Sequence, residues 1–190
     1  MLKKIALGIA ALLAALFIFA ATKPDTFSVA RSIVINAPPE MIQAHLTDFH
    51  KWQAWSPWEK LDPAMKRTYS GPDTGKGATY TWEGNSAVGQ GRMEITDVTP
   101  NTVAIQLDFM APMEASNQVA FALTPQGDST NVHWIMSGAN NYLAKFMQVF
   151  MSMDSMIGKD FESGLADLKV AAEHSAAQAT QPNAPPSGAP

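Results

Sequence analysis

The final third of the sequence carries its longest helical pattern. From Tyr142 to about Ala172, apolar residues recur at spacings of three and four, the period of one helical face. The members of this face are Phe146, Val149, Phe150, Met153, Ile157, Phe161, Leu165 and Leu168. Asn140 or Asn141 can cap the first turn. The pattern predicts one long helix, covered along most of its length, in which Gly158 and Gly164 allow a bend or a close backbone approach.

The middle of the chain alternates between apolar and polar residues, which is the period of half-buried strands. Short Gly, Pro and Asn turns separate seven such segments, at 27–35, 66–69, 78–83, 89–98, 102–109, 114–123 and 130–137. Connections this short join antiparallel neighbours.

Two short helices are predicted after the first strand. One starts at Pro38-Pro39-Glu40, and the other is the tryptophan turn, Trp52 to Trp58, with tryptophans three residues apart. A sheet with one apolar face needs a cover, and the C-terminal helix is the available one. The prediction is an α+β fold in which a seven-stranded curved antiparallel sheet wraps around that helix.

The amino-terminal segment is apolar enough to enter a membrane. Ile5 to Ala21 has no charged or hydrogen-bonding side chain and follows Lys3 and Lys4. This length is short for a transmembrane helix and long for the apolar part of a signal peptide, and the A-x-A cleavage pattern is poor. We expect an uncleaved anchor over 1–23, with a cleaved signal peptide as the alternative; a buried helix would need a polar face. The lysines then place the domain on the periplasmic side of a bacterial inner membrane, or leave it soluble or secreted after cleavage.

Composition removes several function classes. The net charge of -4 and the lack of a basic stripe argue against a nucleic-acid partner. The chain has no cysteine, and its four histidines lack the spacing of a zinc motif, so neither a metal nor a cofactor is expected. The domain should cover 24–173, and the Ala/Pro/Gln-rich tail at 174–190 should be disordered.

Alternation also predicts which side chains face a cavity between sheet and helix. The candidate ligand-cavity residues are Trp52, Trp55, Trp58, Tyr80, Trp82, Met93, Phe109, Asn117, Phe121, Trp134, Met136, Phe146, Phe150 and Met153. Asn117 is the one polar member of the strand set, which makes it the candidate for orienting a ligand's carbonyl or hydroxyl. No carboxylate or histidine is placed inside, although His45 and His50 could reach the mouth, so no catalytic residue is assigned.

Several short sequences resemble a known superfamily: 35–40, 48–52, 55–58, 80–85, 88–93 and 158–165. With the element order, they make residues 27–172 similar to the helix-grip superfamily of START domains, Bet v 1-like plant proteins and aromatic polyketide cyclases. The narrower resemblance is to the bacterial polyketide cyclase/dehydrase and lipid-transport branch, the SRPBCC proteins. It implies a cavity for a hydrophobic ligand, whereas the chemistry differs between branches.

Three functions remain open from the sequence. The first is a membrane-anchored binding module for a small hydrophobic ligand, a lipid or an aromatic compound. The second is a cyclase or dehydratase-type enzyme that uses the same cavity. The third is a structural or interaction domain whose cavity is filled by its own side chains. Ligand identity and oligomeric state are left open.

Overall fold

The computed structural model describes residues 1–180. The helices are α1 (Leu2–Ala21), α2 (Pro39–Leu46), α3 (Pro57–Leu61), α4 (Tyr142–Met147) and α5 (Met153–Thr180), and a 3-10 helix spans Phe49–Ala54. The strands are β1 (Thr26–Ile35), β2 (Lys66–Ser70), β3 (Thr79–Glu83), β4 (Gln90–Thr99), β5 (Thr102–Ala111), β6 (Ala115–Gln126) and β7 (Ser129–Ala139).

All seven strands form one antiparallel sheet in the order β1-β7-β6-β5-β4-β3-β2. The chain meanders from β2 to β7, and β1 returns to the far edge beside β7. Register shifts between Gln90 and Gly91 and between Ile95 and Asp97 interrupt the β4–β5 ladder, and such bulges bend a sheet. The α+β fold with a seven-stranded curved sheet is therefore confirmed.

Helix α5 covers the apolar face of the sheet. Phe161, Leu165 and Leu168 are fully or almost fully buried along its inner side. A Cβ added at Gly164 would lie 2.9 Å from both Pro57 and Trp134, so the helix approaches its neighbours as closely as a glycine allows. The predicted close backbone approach is confirmed at this position.

The C-terminal helix is not continuous, and the prediction of a single helix from Tyr142 is wrong in this respect. Helix α4 ends at Met147, and α5 begins at Met153. Asn141 caps α4 by accepting from the Ala144 N–H, and Ser152 accepts from the Ser155 N–H at 3.1 Å at the start of α5. The second cap starts a new helix because it satisfies an amide that would otherwise lack a partner.

The two ends of the chain also differ in detail from the expectations. Residues 174–180 continue α5 instead of being disordered, because this alanine-rich stretch favours helix and Ala176 still packs against the core. The expected disorder of 181–190 lies outside the described residues. Helix α1 is almost wholly exposed, and it is long and apolar enough to cross a membrane or to serve as a signal sequence.

Candidate ligand-binding site

A cavity of about 120 Å³ lies between the sheet, the tryptophan turn and α5. Its wall is almost entirely carbon. The lining residues are Trp52, Ser56, Trp58, Glu59, Met65, Tyr80, Trp82, Val88, Met93, Leu107, Phe109, Val119, Trp134, Met136, Ile157 and Phe161. An apolar space of this kind takes an apolar guest.

The tryptophan turn forms one wall because its indoles are fixed to α2. Trp52 Nε1 donates to the Leu46 carbonyl at 3.2 Å, and Trp55 Nε1 donates to the His45 carbonyl at 3.4 Å. Pro57 then starts α3, since proline suits a first helical turn and ends the preceding 3-10 helix. The turn thereby directs Trp52 and Trp58 into the cavity.

The strands bring most of the other sequence-predicted residues to the same space. Those that line the cavity, with the two tryptophans of the turn, are Tyr80, Trp82, Met93, Phe109, Trp134 and Met136. The ring of Trp82 lies against Gly91, where a Cβ would be only 2.4 Å from it. Close packing of an aromatic ring accounts for this glycine.

Six predicted site residues lie elsewhere. Trp55 and Phe121 are wholly buried in the core, with their rings 6.0 Å apart and edge to face. Asn117 faces the interior as its phase predicts, but it packs over Gly138 near the end of the sheet and not on the cavity. Alternation gives the face of a strand, not the height of the cavity along it.

The remaining three are displaced by the helix break. Phe146 lies on α4, against the Phe17 ring of α1, and Phe150 is exposed in the connecting segment. Met153 packs on the edge of the core without reaching the cavity, and Ile157 and Phe161 of α5 line it instead. The prediction continued one helical period from Tyr142 onward, whereas the segment between α4 and α5 turns away from the sheet.

The cavity wall contains a carboxylate that strand alternation does not place there. Glu59 of α3 is only 7% exposed. Its Oε1 accepts a hydrogen bond of 2.6 Å from the Tyr80 hydroxyl, and its Oε2 accepts one of 2.8 Å from Arg67 Nε. Arg67 in turn donates to the Met65 carbonyl at 2.8 Å. We call Glu59, Arg67 and Tyr80 the polar triad.

Within the polar triad, the charge of Arg67 is paired with that of Glu59, and Tyr80 stays neutral. Burial, followed by the hydrogen bond and charge of Glu59, raises the pKa of the Tyr80 phenol well above its usual range. Tyr80 is therefore a neutral donor at physiological pH. Burial alone would lower the pKa of Arg67, but the hydrogen bond and charge of Glu59 outweigh it and raise that pKa. The triad thus joins a buried ion pair to a phenol whose proton stays in place.

The sequence contained a signal for this triad. Strand β2 alternates, and Arg67 and Tyr69 occupy its inward phase, with Lys66 and Thr68 outward on a more exposed face. An inward arginine needs a carboxylate partner, because an unpaired buried charge is strongly unfavourable. The sequence does not identify Glu59 as this partner, because an acidic residue in a first helical turn is ordinary.

One further polar atom at the cavity lacks a partner. Trp134 lines the cavity and is 2% exposed, and its indole N–H makes no hydrogen bond within the described residues. Its ring stacks on Phe161 at 4.1 Å. Buried donors are rarely left unpaired in native structures, so this N–H is an exception beside the cavity.

Neither candidate histidine lines the cavity. His45 Nε2 lies 3.0 Å from the Ser175 hydroxyl on α5, and burial lowers the pKa of its imidazole. His50 contacts Asp48 and stacks on Tyr69 at 4.0 Å. Among residues 1–180, no group of three or more histidine and acidic side chains could hold a metal ion.

Solved structures share this fold at low sequence identity. The chain is similar to an Aha1 dimer protein from Colwellia psychrerythraea (22% identity, TM-score 0.55, covering 77% of this chain and 96% of that one). It is also similar to a hypothetical protein, jhp0584, from Helicobacter pylori (10%, TM-score 0.58, covering 80% and 90%). A third likeness is to StfQ, a di-domain ARO/CYC protein of the steffimycin biosynthetic pathway (8%, TM-score 0.57, covering 80% and 52%).

No curated protein matches the chain. The solved structures establish the fold, but at these identities they assign neither ligand nor reaction. The family described as polyketide cyclase / dehydrase and lipid transport matches residues 26–173, which is nearly the whole globular domain, and the chain therefore belongs to that family.

Proposed function

We propose that this protein is a membrane-anchored module that holds a small hydrophobic molecule between the sheet and α5. The observation that carries the proposal is the apolar cavity of about 120 Å³, whose lining includes Glu59 and Tyr80 of the polar triad and Trp134, a residue whose N–H has no hydrogen-bond partner. Ligand sites in proteins combine mostly apolar walls with a few fixed polar groups. The family description, which includes lipid transport, agrees with this function.

The size and chemistry of the cavity limit the ligand. Its volume is comparable to that of engineered cavities of about 150 Å³ that bind benzene, so one aromatic ring or a short length of alkyl chain fits inside. A carbonyl or similar acceptor on the ligand would satisfy the Trp134 N–H. We infer a largely apolar ligand with one acceptor group, such as an aromatic compound or the apolar part of a lipid.

Helix α1 supports the anchor and its orientation. It exposes a continuous apolar surface, and Lys3 and Lys4 stand at its amino end. By the positive-inside rule, the lysines stay in the cytoplasm and the domain lies on the periplasmic side of a bacterial inner membrane. Accessibility of the domain to protease added outside spheroplasts tests this orientation.

The direct test of binding uses the tryptophans that line the cavity. Titration of the full chain in mild detergent with nitrobenzene, a single-ring quencher, should reduce the intrinsic tryptophan fluorescence saturably. Val119→Phe places a ring in the cavity and should weaken binding roughly tenfold or more, because the ring takes the ligand's place. Val170→Phe makes the same exchange at an exposed site and should bind as the wild type does. Equal binding by all three proteins would reject the cavity as the site.

A cyclase or dehydratase activity is the second candidate, and Glu59 is the observation that favours it. A carboxylate in the cavity wall could accept a proton from a bound substrate. Arg67 and Tyr80 already engage both of its oxygens, however, which favours a positioning role over proton transfer. Turnover of a polyketide-like aromatic precursor by the wild type, lost in Glu59→Gln with unchanged affinity, would establish the enzyme.

A further inference from the structure

The domain carries an exposed apolar surface next to α1. Leu143, Met147, Phe150 and Met151 are 52%, 41%, 67% and 54% exposed, and they lie within nine consecutive residues of α4 and the segment that follows it. We call these four side chains the α4 surface. Single exposed apolar residues are ordinary, but a contiguous group of large ones marks a contact with a partner or a membrane.

Helix α4 is fixed against the last turns of α1. The Phe17 ring stacks on Phe146 with 5.4 Å between centroids, and the Tyr142 hydroxyl donates to the Phe17 carbonyl at 2.9 Å. Just beyond α1, Lys145 forms an ion pair with Asp25. The α4 surface therefore has a defined height relative to the apolar helix.

When α1 spans a bilayer, this position of the α4 surface along the axis of α1 matches the membrane surface. Helix α1 has 20 residues, or about 30 Å at 1.5 Å per residue, which matches a hydrocarbon core of about 30 Å. Phe17 stands four residues before the end of the helix at Ala21, about 6 Å inside it. When α1 spans the bilayer, α4 lies at the boundary of acyl chains and headgroups, and the Asp25–Lys145 pair lies on the water side. Tyr142 is then where aromatic side chains are enriched in membrane proteins.

The cavity lies in the half of the domain that faces this boundary. Thr26 of β1 pairs with Ala139 of β7, so the end of the sheet next to α1 and α4 is also the end where β3 and β5 finish. Trp82, Phe109 and Met136 line the cavity within three residues of that end. Two more exposed methionines lie at the same end, Met110 near the end of β5 and Met113 in the β5–β6 turn.

We propose that the α4 surface rests in the interface of the bilayer and that the cavity takes its ligand from the leaflet next to the domain. This ligand is an amphipathic lipid or its apolar chain. The proposal rests on the membrane anchor and the cavity of the proposed function. An amphipathic segment that places large apolar side chains at the acyl boundary binds a membrane surface through their burial. Because the α4 surface lies near the cavity, an apolar ligand can pass from the bilayer into the cavity without crossing water.

Fluorophores at single cysteines test the contact, since the chain has no native cysteine. Leu143→Cys and Phe150→Cys probe the α4 surface, Val170→Cys is an equally exposed control on α5, and Leu12→Cys reports on α1. Each full-length protein is reconstituted in phosphatidylcholine–phosphatidylglycerol vesicles with brominated acyl chains. Fluorophores at 143, 150 and 12 should be quenched, and the one at 170 should not.

The control positions separate the possible failures. Quenching at position 12 with none at 143 and 150 would overturn the surface contact while leaving the anchor intact. No quenching at position 12 would refute the anchor and, with it, this proposal. Binding of nitrobenzene in detergent is measured independently, so neither result bears on whether the cavity accepts a ligand.

Loading tests the second half of the proposal. Phe150→Asp/Met151→Asp introduces two charges into the α4 surface outside the cavity. Transfer of a fluorescent fatty acid from vesicles into the cavity should become roughly tenfold slower, because charged side chains resist entry into the interface. Uptake of the same fatty acid from detergent should be unchanged. Equal transfer rates from vesicles for variant and wild type would overturn loading from the leaflet.

Discussion

Removing Glu59 from the polar triad should destabilise the protein more than any exposed ion-pair change. The side chains of Glu59 and Arg67 are only 6% and 17% exposed, so their pair is largely shielded from water. Glu59→Leu would leave the guanidinium without its carboxylate and the Tyr80 hydroxyl without its acceptor. Breaking a buried pair from one side costs about 3–5 kcal/mol, or roughly 10 °C in Tm for a domain of this size.

The double variant distinguishes this reasoning from a simple packing loss. Glu59→Leu/Arg67→Met removes both charges and should recover most of the stability lost in Glu59→Leu, because no buried charge is left unpaired. Lys66→Met is the control: the Lys66–Glu83 pair is 68% and 51% exposed, and its loss should cost less than about 1 kcal/mol.

Urea unfolding of the full chain in nonionic detergent, followed by tryptophan fluorescence, measures all four proteins. A constant slope with denaturant is required for comparison of their free energies of unfolding. The reasoning is refuted if Glu59→Leu is no less stable than Lys66→Met, or if the double variant is no more stable than Glu59→Leu.

Three further predictions use the same structure. Gly164→Val should lower stability by about 1–3 kcal/mol, because its side chain would enter the contact with Pro57 and Trp134, whereas Ala166→Val on the exposed side of α5 should cost about 0.5 kcal/mol; thermal unfolding compares them. Trp134→Phe should weaken binding of ligands with an acceptor group about two- to tenfold, and that of a pure hydrocarbon far less, as probe displacement would measure. Burial lowers the pKa of His45 in the folded protein, so the unfolded chain binds a proton at this residue first as pH falls. The contribution of neutral His45 to stability is complete above about pH 6.5 and is lost as pH falls towards the folded pKa. His45→Gln should flatten that part of a stability–pH curve.

The fold was predictable because each element left a periodic signal. Alternation identified the strands, and the stripe from Phe161 to Leu168 identified the covering helix. The break before Met153 was missed because Val149 and Phe150 continue the helical spacing from Phe146, although Ser152 offered a capping side chain. Helix α4 packs on α1, and Phe150 and Met151 after it are exposed, an arrangement that no local pattern contains.

The sequence predicts which face of each strand is turned towards the cavity, but not how far the cavity extends along the strands. Periodicity assigned Trp82, Trp134 and Met136 to the interior correctly, and it assigned Asn117 there too, but it carries no information on height along the strand. Glu59 carries no periodic signal, because it lies in a helix of only five residues. Its burial depends on Arg67, which comes from another element, and only tertiary structure brings the two together.

The central claim is that the cavity between sheet and α5 holds a hydrophobic molecule. Native mass spectrometry of the full chain, released from membranes in mild detergent, tests it most directly. The wild type should carry a mass excess that organic extraction removes, and Val119→Phe should carry much less of it than Val170→Phe. A wild type that arrives without added mass, and takes up neither fatty acids nor aromatic probes after extraction, would contradict the claim.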